Sequence, residues 1–246
     1  KGGRENALIR LKNKFLTYSK FRDYPGMDAT TKLSAYMKFG CISVREVYQT
    51  YARNKALGRE LIWREFYANI LYHFPHVLKG SSFKQKYDKI KWENNREWFD
   101  KWCKGETGYA LVDAGMKQLN ESGWMHNRVR MIVAMFLTKD LLIDWRWGEK
   151  YFATKLVDYD PASNNGGWQW SSSTGTDAQP YFRIFNHETQ IKRYDKDYVY
   201  IKRWNPEYLN RKKIIVIGGG FAGLQFVKNI DEKLFDVLLI DKVIHF

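Results

Sequence analysis

From Leu33 to Ile143 the apolar residues recur at spacings of three and four, and no segment of comparable length before residue 210 alternates as a strand does. A chain patterned this way buries stripes along helices, so a mainly α fold is expected. Lys1 to Arg22 carries seven Lys or Arg, with Leu8, Leu11, Phe15 and Tyr18 at helical spacing, which predicts an amphipathic basic helix. The breaker-rich run Arg22 to Asp28 then leads to Thr30 and Thr31, placed to cap a helix over Leu33 to Phe39. Further helices are predicted over Ser43–Lys55, Glu60–Tyr72, Tyr109–Asn120 and Asn127–Ile143. Asp158 to Gly175 contains Asn164-Asn165-Gly166-Gly167 and is expected to be a long functional loop, because each interior Gly costs a helix about 1 kcal/mol.

The pattern changes at Arg211. Lys213 to Ile217 reads as a buried strand, Gly218 to Gly223 is glycine-rich, Leu224 to Ile230 is helical and Val237 to Ile240 is a second strand. The expected division is a helical domain over residues 1–208 and a truncated Rossmann-like βαβ fragment over 209–246. Gly218, Gly220 and Gly223, followed eighteen residues later by Asp241, have the spacing of a dinucleotide fingerprint.

The net charge is +14, and residues 209–246 hold six basic and four acidic side chains, which leaves +12 on residues 1–208. Such a surface suits a polyanionic partner, nucleic acid or an anionic surface, or is simply well solvated. Ten Trp, sixteen Tyr and fifteen Phe could stack bases or a planar cofactor as readily as fill a core. The longest apolar run, Met131 to Leu137, is far short of the roughly 18 residues that cross a bilayer, and no signal peptide opens the chain. Cys41 and Cys103 stand in no metal-ligand spacing, so no metal is expected, and a reducing cytoplasm is the expected setting. The chain opens on Lys1 and not Met, which leaves room for an upstream segment.

Three constellations could carry chemistry. Glu60, Trp63, Arg64 and Tyr67 share one helical face, either as a site or as a surface Glu–Arg pair beside a packed Trp. Asn127 and Met131 share another, flanked by Arg128 and Arg130 and preceded by the turn Gly123-Trp124. Asp158 and Asp160 could be an acid/base pair, magnesium ligands or plain turn formers, and spacing does not choose among these. The run from Asn164 to Trp170 sets two Trp behind Gly-Gly, an unusual composition for a connector because each Trp needs burial and an N–H partner.

These strings resemble the flavin-binding domain of the DNA photolyase and cryptochrome family, most closely bacterial class I cyclobutane pyrimidine dimer photolyases. The resemblance runs from about residue 5 to 208. It is carried by Arg22-Asp23 with Pro25, Thr30 to Ser34, Leu61 to Tyr67, Gly123 to Arg128, Asp158-x-Asp160 and Asn164 to Trp170, in that order.

The resemblance implies a multi-helical fold that binds FAD, active in its reduced form, and ultraviolet-damaged DNA as partner, with no membrane and a monomeric state. It implies that Tyr18, Thr30, Thr31, Lys32, Leu33 and Ser34 hold the FAD phosphates and ribityl chain. Arg64, Asp158, Tyr159 and Asp160 would meet the flavin ring and ribose, and Asn164 would lie beside flavin N5. Glu60, Trp63, Asn127, Met131 and Trp170 would line the lesion pocket, with Glu60 bonded to a pyrimidine carbonyl and Arg22, Arg128 and Gln190 at the DNA. Trp168, Trp145 and Trp92 would carry electrons from the surface to the flavin.

Departures from the family pattern accompany these matches. The family's N-terminal α/β antenna domain and the helical tail after Trp204-Asn-Pro-Glu207 have no counterpart, so no antenna chromophore is expected. The Ile217 to Leu224 run is instead similar to the opening of a type II NADH dehydrogenase or related flavoprotein, as in a fusion of two gene fragments. The leading expectation is a light-driven lyase that splits pyrimidine dimers. The alternatives are a cryptochrome-like photoreceptor, a flavin-free nucleic-acid-binding module or inactive fragment, and an NADH-linked oxidoreductase.

Two strands and one helix bury too little to fix a phosphate-binding turn, and a Rossmann half needs about three strands covered on both faces. Residues 209–246 are therefore predicted to bind no dinucleotide. Calorimetric titration with NADH is expected to give the same null trace for the whole chain and for one ending at Tyr208. Tight binding that disappears with the tail would revive the oxidoreductase reading.

Overall fold

The computed structural model describes residues 2–13, 15, 17–210, 212–217, 221–230 and 235–240. The helical part is built in two buried clusters. The first collects α1 (Arg4–Leu11), α2 (Tyr18–Phe21), α3 (Ser34–Lys38), α4 (Val44–Thr50) and the N-terminal half of α5 (Lys55–His73) around Ala7, Leu33, Ile42 and Val47. The second, larger one joins α6 (Arg96–Lys104), α7 (Ala110–Ser122), α8 (Asn127–Met135), α9 (Trp145–Lys155), α10 (Pro161–Ser172), α11 (His187–Tyr194), α12 (Val199–Trp204) and α13 (Pro206–Leu209). Trp102, Met116, Ile132 and Trp145 lie at its centre.

Side-chain caps set half of the α-helix starts. Ser43 and Glu46 form a reciprocal capping box on α4. Asn54, Asn95, His126, Asp144, Asp160 and Asn186 each accept a bond from a first-turn N–H of the helix that follows. At the other end of α7, Gly123 has φ 66° and faces Lys155 O at 3.2 Å from where a Cβ would stand, so the turn into Trp124 demands glycine on both counts.

The mainly α expectation holds, with several local corrections. The single basic helix over Lys1 to Arg22 is broken into α1 and α2. Phe15 takes the left-handed φ of 41° between them, and the Tyr51 hydroxyl meets the carbonyls of Leu11 and Asn13 at 2.9 and 3.0 Å. Thr30 and Thr31 do not cap α3, whose N-cap is Leu33 with no side-chain cap; the Thr31 hydroxyl instead accepts from Leu33 N at 3.4 Å. Helix α8 widens after Met135 into a π turn over Phe136–Asp140, where an unbroken α-helix to Ile143 is the expectation.

The largest correction concerns Asp158 to Gly175, which is not a loop but mostly α10. Asp160 Oδ1 accepts from Ser163 N at 2.8 Å, Pro161 stands in the first turn, and Ser173, at φ 70°, ends the helix. Propensity loses here to tertiary packing. Asn165 donates to Val77 O at 3.1 Å, Gln169 donates to Asn165 at 2.9 Å and accepts from Phe83 N at 2.7 Å, and a Cβ on Gly166 would overlap the Tyr67 ring.

After α13 come β1 (Lys212–Ile217), α14 (Phe221–Asn229) and β2 (Phe235–Ile240), with the two strands parallel and Ile214 opposite Val237. The βαβ order is as expected, but β1 is not buried: Ile215 and Ile217 are exposed. Gly218, Gly220 and Asp241 of the fingerprint lie outside the described residues, and Gly223 falls within α14.

A buried carboxylate ties α7 to the turn that precedes it. Asp113 accepts from Thr107 N at 2.8 Å, Thr107 Oγ1 at 2.6 Å and Gly108 N at 2.9 Å, while burial pushes its pKa up against these bonds. Asp113→Ala strands three donors and is expected to lower unfolding free energy by about 3 kcal/mol, with Asp113→Asn milder. Urea unfolding with an unchanged midpoint in the alanine variant would refute this role.

Candidate functional site

Between the two clusters lies a cavity of about 570 Å³. One wall belongs to the first cluster and is apolar at Leu33, Val47, Leu57 and Leu61; the other belongs to the second at Met125, Ala134, Phe152, Leu156 and Trp168. Polar groups are set into both walls.

On the first wall, the segment Thr30 to Ser34 contributes hydroxyls and the Lys32 ammonium, which is held by Asp28 at 2.7 Å and lies 5.5 Å above the Trp124 ring. Tyr18 enters from α2; burial, and after it the Glu60 carboxylate, raise its pKa to about 12, so the phenol keeps its proton. All four members of the α5 face, Glu60, Trp63, Arg64 and Tyr67, reach the cavity. Burial likewise pushes Tyr67 up to about 12. The expected i,i+4 pair of Glu60 with Arg64 does not form. Glu60 is ion-paired with Arg22, and Arg64 pairs with its neighbour Glu65 at 2.6 Å. The face is therefore turned toward the cavity and not closed on itself.

The opposite wall is organised by a pair the sequence did not single out. Arg130 Nη2 lies 3.1 and 2.9 Å from the two Asp158 oxygens, and Arg130 Nε donates to Met125 O at 2.7 Å. The Asp158 side chain is only 3% exposed, so the guanidinium supplies the compensation a buried carboxylate requires. Asn164 donates to Glu149 at its backbone oxygen, 3.1 Å, and at Oε1, 3.2 Å. Burial raises the Glu149 pKa, and the Asn164 bond opposes that shift. Gly167 also lines the cavity, and a Cβ there would meet nothing within 4 Å, so this edge of α10 is bare.

Of the residues expected at the site, Tyr18, Arg22, Thr30 to Ser34, Glu60, Trp63, Arg64, Asn127, Met131, Asp158, Asp160, Asn164, Trp168 and Trp170 line this one cavity. Asp160 is also the α10 N-cap, which favours the turn-forming reading of that carboxylate over a metal ligand. Among the described residues no cluster of His, Cys, Asp and Glu is arranged to hold a metal.

Tyr159, Arg128, Gln190, Trp145 and Trp92 lie off the lining. Tyr159 sits under Lys38, Nζ to ring 5.7 Å. Arg128 pairs with Asp23 at 2.6 Å and covers the Tyr194 ring at 4.4 Å. Gln190 Oε1 is buried without a partner on α11. Trp145 is buried in α9, one turn before Gly148, where a Cβ would overlap the Trp168 ring, and Trp92 is half-buried against the same cluster.

Over residues 56–217 the sequence matches the family described as the FAD binding domain of DNA photolyase. The chain belongs to the DNA photolyase and cryptochrome family. Among curated relatives, the deoxyribodipyrimidine photo-lyase of Vibrio cholerae is 48% identical over 200 residues, 77% of this chain and 43% of that protein. That of Halobacterium salinarum is 49% identical over 203 residues, 77% of this chain and 42% of its own length. An archaeal photolyase from Sulfolobus tokodaii, solved with two FAD molecules, superposes with a TM-score of 0.81 at 47% identity, covering 85% of this chain and 48% of that one. A Synechocystis cryptochrome gives 0.78 at 36% identity, with 85% and 47% coverage. The chain thus spans less than half the length of the photolyases it matches. Among the described residues no helix is long and apolar enough to cross a membrane.

His126 positions the start of α8, and with it Asn127 at the cavity. Its Nδ1 accepts from Arg128 N at 3.1 Å, its Nε2 is buried without a partner, and burial lowers its pKa to about 4. The unfolded chain takes up this proton near pH 6.5 and the folded one only near pH 4. Stability is therefore expected to fall as pH drops through that window, by up to about 1.4 kcal/mol per unit. His126→Asn, which keeps a cap, should flatten the slope in denaturant titrations; an unchanged slope would assign it elsewhere.

Proposed function

We propose that the cavity holds FAD and that the chain carries out light-driven repair of cyclobutane pyrimidine dimers in DNA. The observation that carries this reading is that the residues matched to lesion contacts, and all those matched to cofactor contacts except Tyr159, line one cavity. The lining suits such a cofactor: hydroxyls and the Lys32 cation from Thr30 to Ser34 for phosphates, and the bare Gly167 edge beside Trp168 and the Asn164 amide for a flat ring. Thr30, Thr31, Lys32, Leu33, Ser34 and Tyr18 hold the phosphate and sugar side. Arg64, Asp158, Asp160 and Asn164 would set the ring side, with Tyr159 next to it just off the lining and Arg130 holding the Asp158 carboxylate in place.

When bound, reduced flavin supplies, on absorbing light, the electron that opens the cyclobutane ring and then takes it back. The rest is the chain's own work. A dimer flipped from the duplex loses little stacking, because the lesion is already poorly stacked, and Trp63 and Trp170 offer it apolar walls. Asn127 and Met131 shape the same pocket. The Arg22–Glu60 pair stands at its edge, and Glu60 would have to carry a proton to donate to the pyrimidine carbonyl that gains charge. Arg128 and Gln190 serve the DNA strand outside the cavity, and Trp168, Trp145 and Trp92 return electrons from the surface.

The ordered motifs favour a class I enzyme, with the helical unit ending near residue 208. The following βαβ reads as the opening of a dinucleotide-binding flavoprotein unit fused to it. Retention of Glu60, Trp63, Asn127 and Met131 favours repair over a purely signalling photoreceptor.

The test is direct. The chain loaded with FAD and reduced is expected to remove dimers from ultraviolet-treated oligonucleotide in light and not in darkness. Trp63→Ala should weaken binding of the lesion by about 1–3 kcal/mol while leaving undamaged DNA unaffected. Failure to take up flavin, or equal dimer loss in darkness, would overturn the proposal.

A further inference from the structure

Trp168 is the buried indole of the cavity wall, and its ring contacts lead away from the site along a path that does not pass through Trp145. Its centroid lies 6.0 Å from that of Trp102, at 70° between planes. Trp102 is fully buried, and its Nε1–H donates to Val133 O at 3.1 Å. From Trp102 the Tyr151 ring is 5.7 Å away at 64°. The Tyr151 hydroxyl is at the surface, 2.6 Å from Asn120 Oδ1 and 3.0 Å from Cys103 O. Three oxidisable rings in van der Waals succession therefore join the cavity to solvent. Among the described residues no comparable ring contact joins Trp168 to Trp145 or Trp145 to Trp92, and the buried Trp145 Nε1 has no hydrogen-bond partner.

We propose that Trp168, Trp102 and Tyr151 form a second one-electron route from the cavity to the surface, separate from Trp145 and Trp92. This rests on the reading of the cavity as a flavin site. Trp168 gives one electron to the light-excited, oxidised flavin; Trp102 refills Trp168, and Tyr151 refills Trp102. Tyr151 thereby loses one electron, and its phenol proton passes to bulk water at the Asn120 side. A thiol in solution restores one electron and one proton. Before the flash the phenol is protonated, since burial and the neighbouring Cys103 raise its pKa to about 12. Trp102, with its N–H tied to the Val133 carbonyl, passes charge without losing its proton. Tunnelling weakens exponentially with separation, so two short steps between touching rings compete with any longer step.

The experiment is flash photolysis of the full chain carrying oxidised FAD, following tyrosyl radical absorption and its electron paramagnetic resonance spectrum. Trp145→Phe is expected to keep the tyrosyl signal, and adding Tyr151→Phe to abolish it. Trp102→Phe should also abolish it, and because that change alters the core, Tyr151→Phe, which removes only a surface hydroxyl, is the decisive variant. Oxidation of Trp168 with no tyrosyl signal, or a signal that survives Tyr151→Phe, would overturn the proposal while leaving the flavin reading intact. A chain that takes up no flavin would overturn both.

Discussion

The cavity exists because α10 comes close enough to α5 for the Tyr67 ring to lie where a side chain on Gly166 would be. That approach brings a helix of the second cluster onto a helix whose first half belongs to the other one. Tyr67 can sit there only because residue 166 has no Cβ. Asn165, one position before Gly166, and Gln169, three after it, spend their amides on Val77, Phe83 and each other. Polar side chains thus fix the helix from one side, and their neighbours Asn164, Gly167, Trp168 and Trp170 are left to face the cavity from the other. Residues poor in helix propensity are tolerated because each has a tertiary partner.

How much of this could be read from the sequence depended on whether the relevant neighbours were local. The face of Glu60, Trp63, Arg64 and Tyr67 lies on one helix, where spacing alone places side chains, and all four do reach the cavity. The direction of their pairing was not legible. Glu60 answers to Arg22, thirty-eight residues away, and no i,i+4 rule points there. Asp158 and Asp160 were visible as a motif, yet one is the buried partner of Arg130 and the other a helix cap, and only the fold separates those duties. Arg130 is visible beside Arg128 as a flank of the Asn127 face, but its duty is not, because an arginine on a basic helix looks solvated until its carboxylate is found twenty-eight residues on. Helices α6 and α9 went unmarked for a related reason: the aromatic stripe of Phe99 and Trp102 packs onto Tyr151 and Phe152, and its meaning is three-dimensional. Propensity marks Asp158 to Gly175 as a loop, and tertiary packing outweighs it.

Charge is handled differently on the two walls. The first keeps its ions near solvent: Lys32 with Asp28, Arg64 with Glu65 and Arg22 with Glu60, side chains that are all at least a quarter exposed. Such pairs stabilise the fold little and can exchange partners cheaply. The second wall buries Asp158 against Arg130 and confines Asn164 to Glu149, arrangements that resist rearrangement. One wall is adaptable and the other is fixed, a division that agrees with the proposed pairing of a resident cofactor and a passing DNA strand.

The placement of the cavity between two separately packed clusters has a thermodynamic side. Whatever fills that seam touches both bodies and binds neither alone, so its free energy of binding is also cohesion between them. By mass action, a ligand present at a hundred times its dissociation constant adds about 2.7 kcal/mol to the intact form. The occupant is then a structural member of the protein. Its departure would loosen the join between the clusters before either lost its own core, and the two would melt as separate transitions in the empty chain but as one in the filled chain.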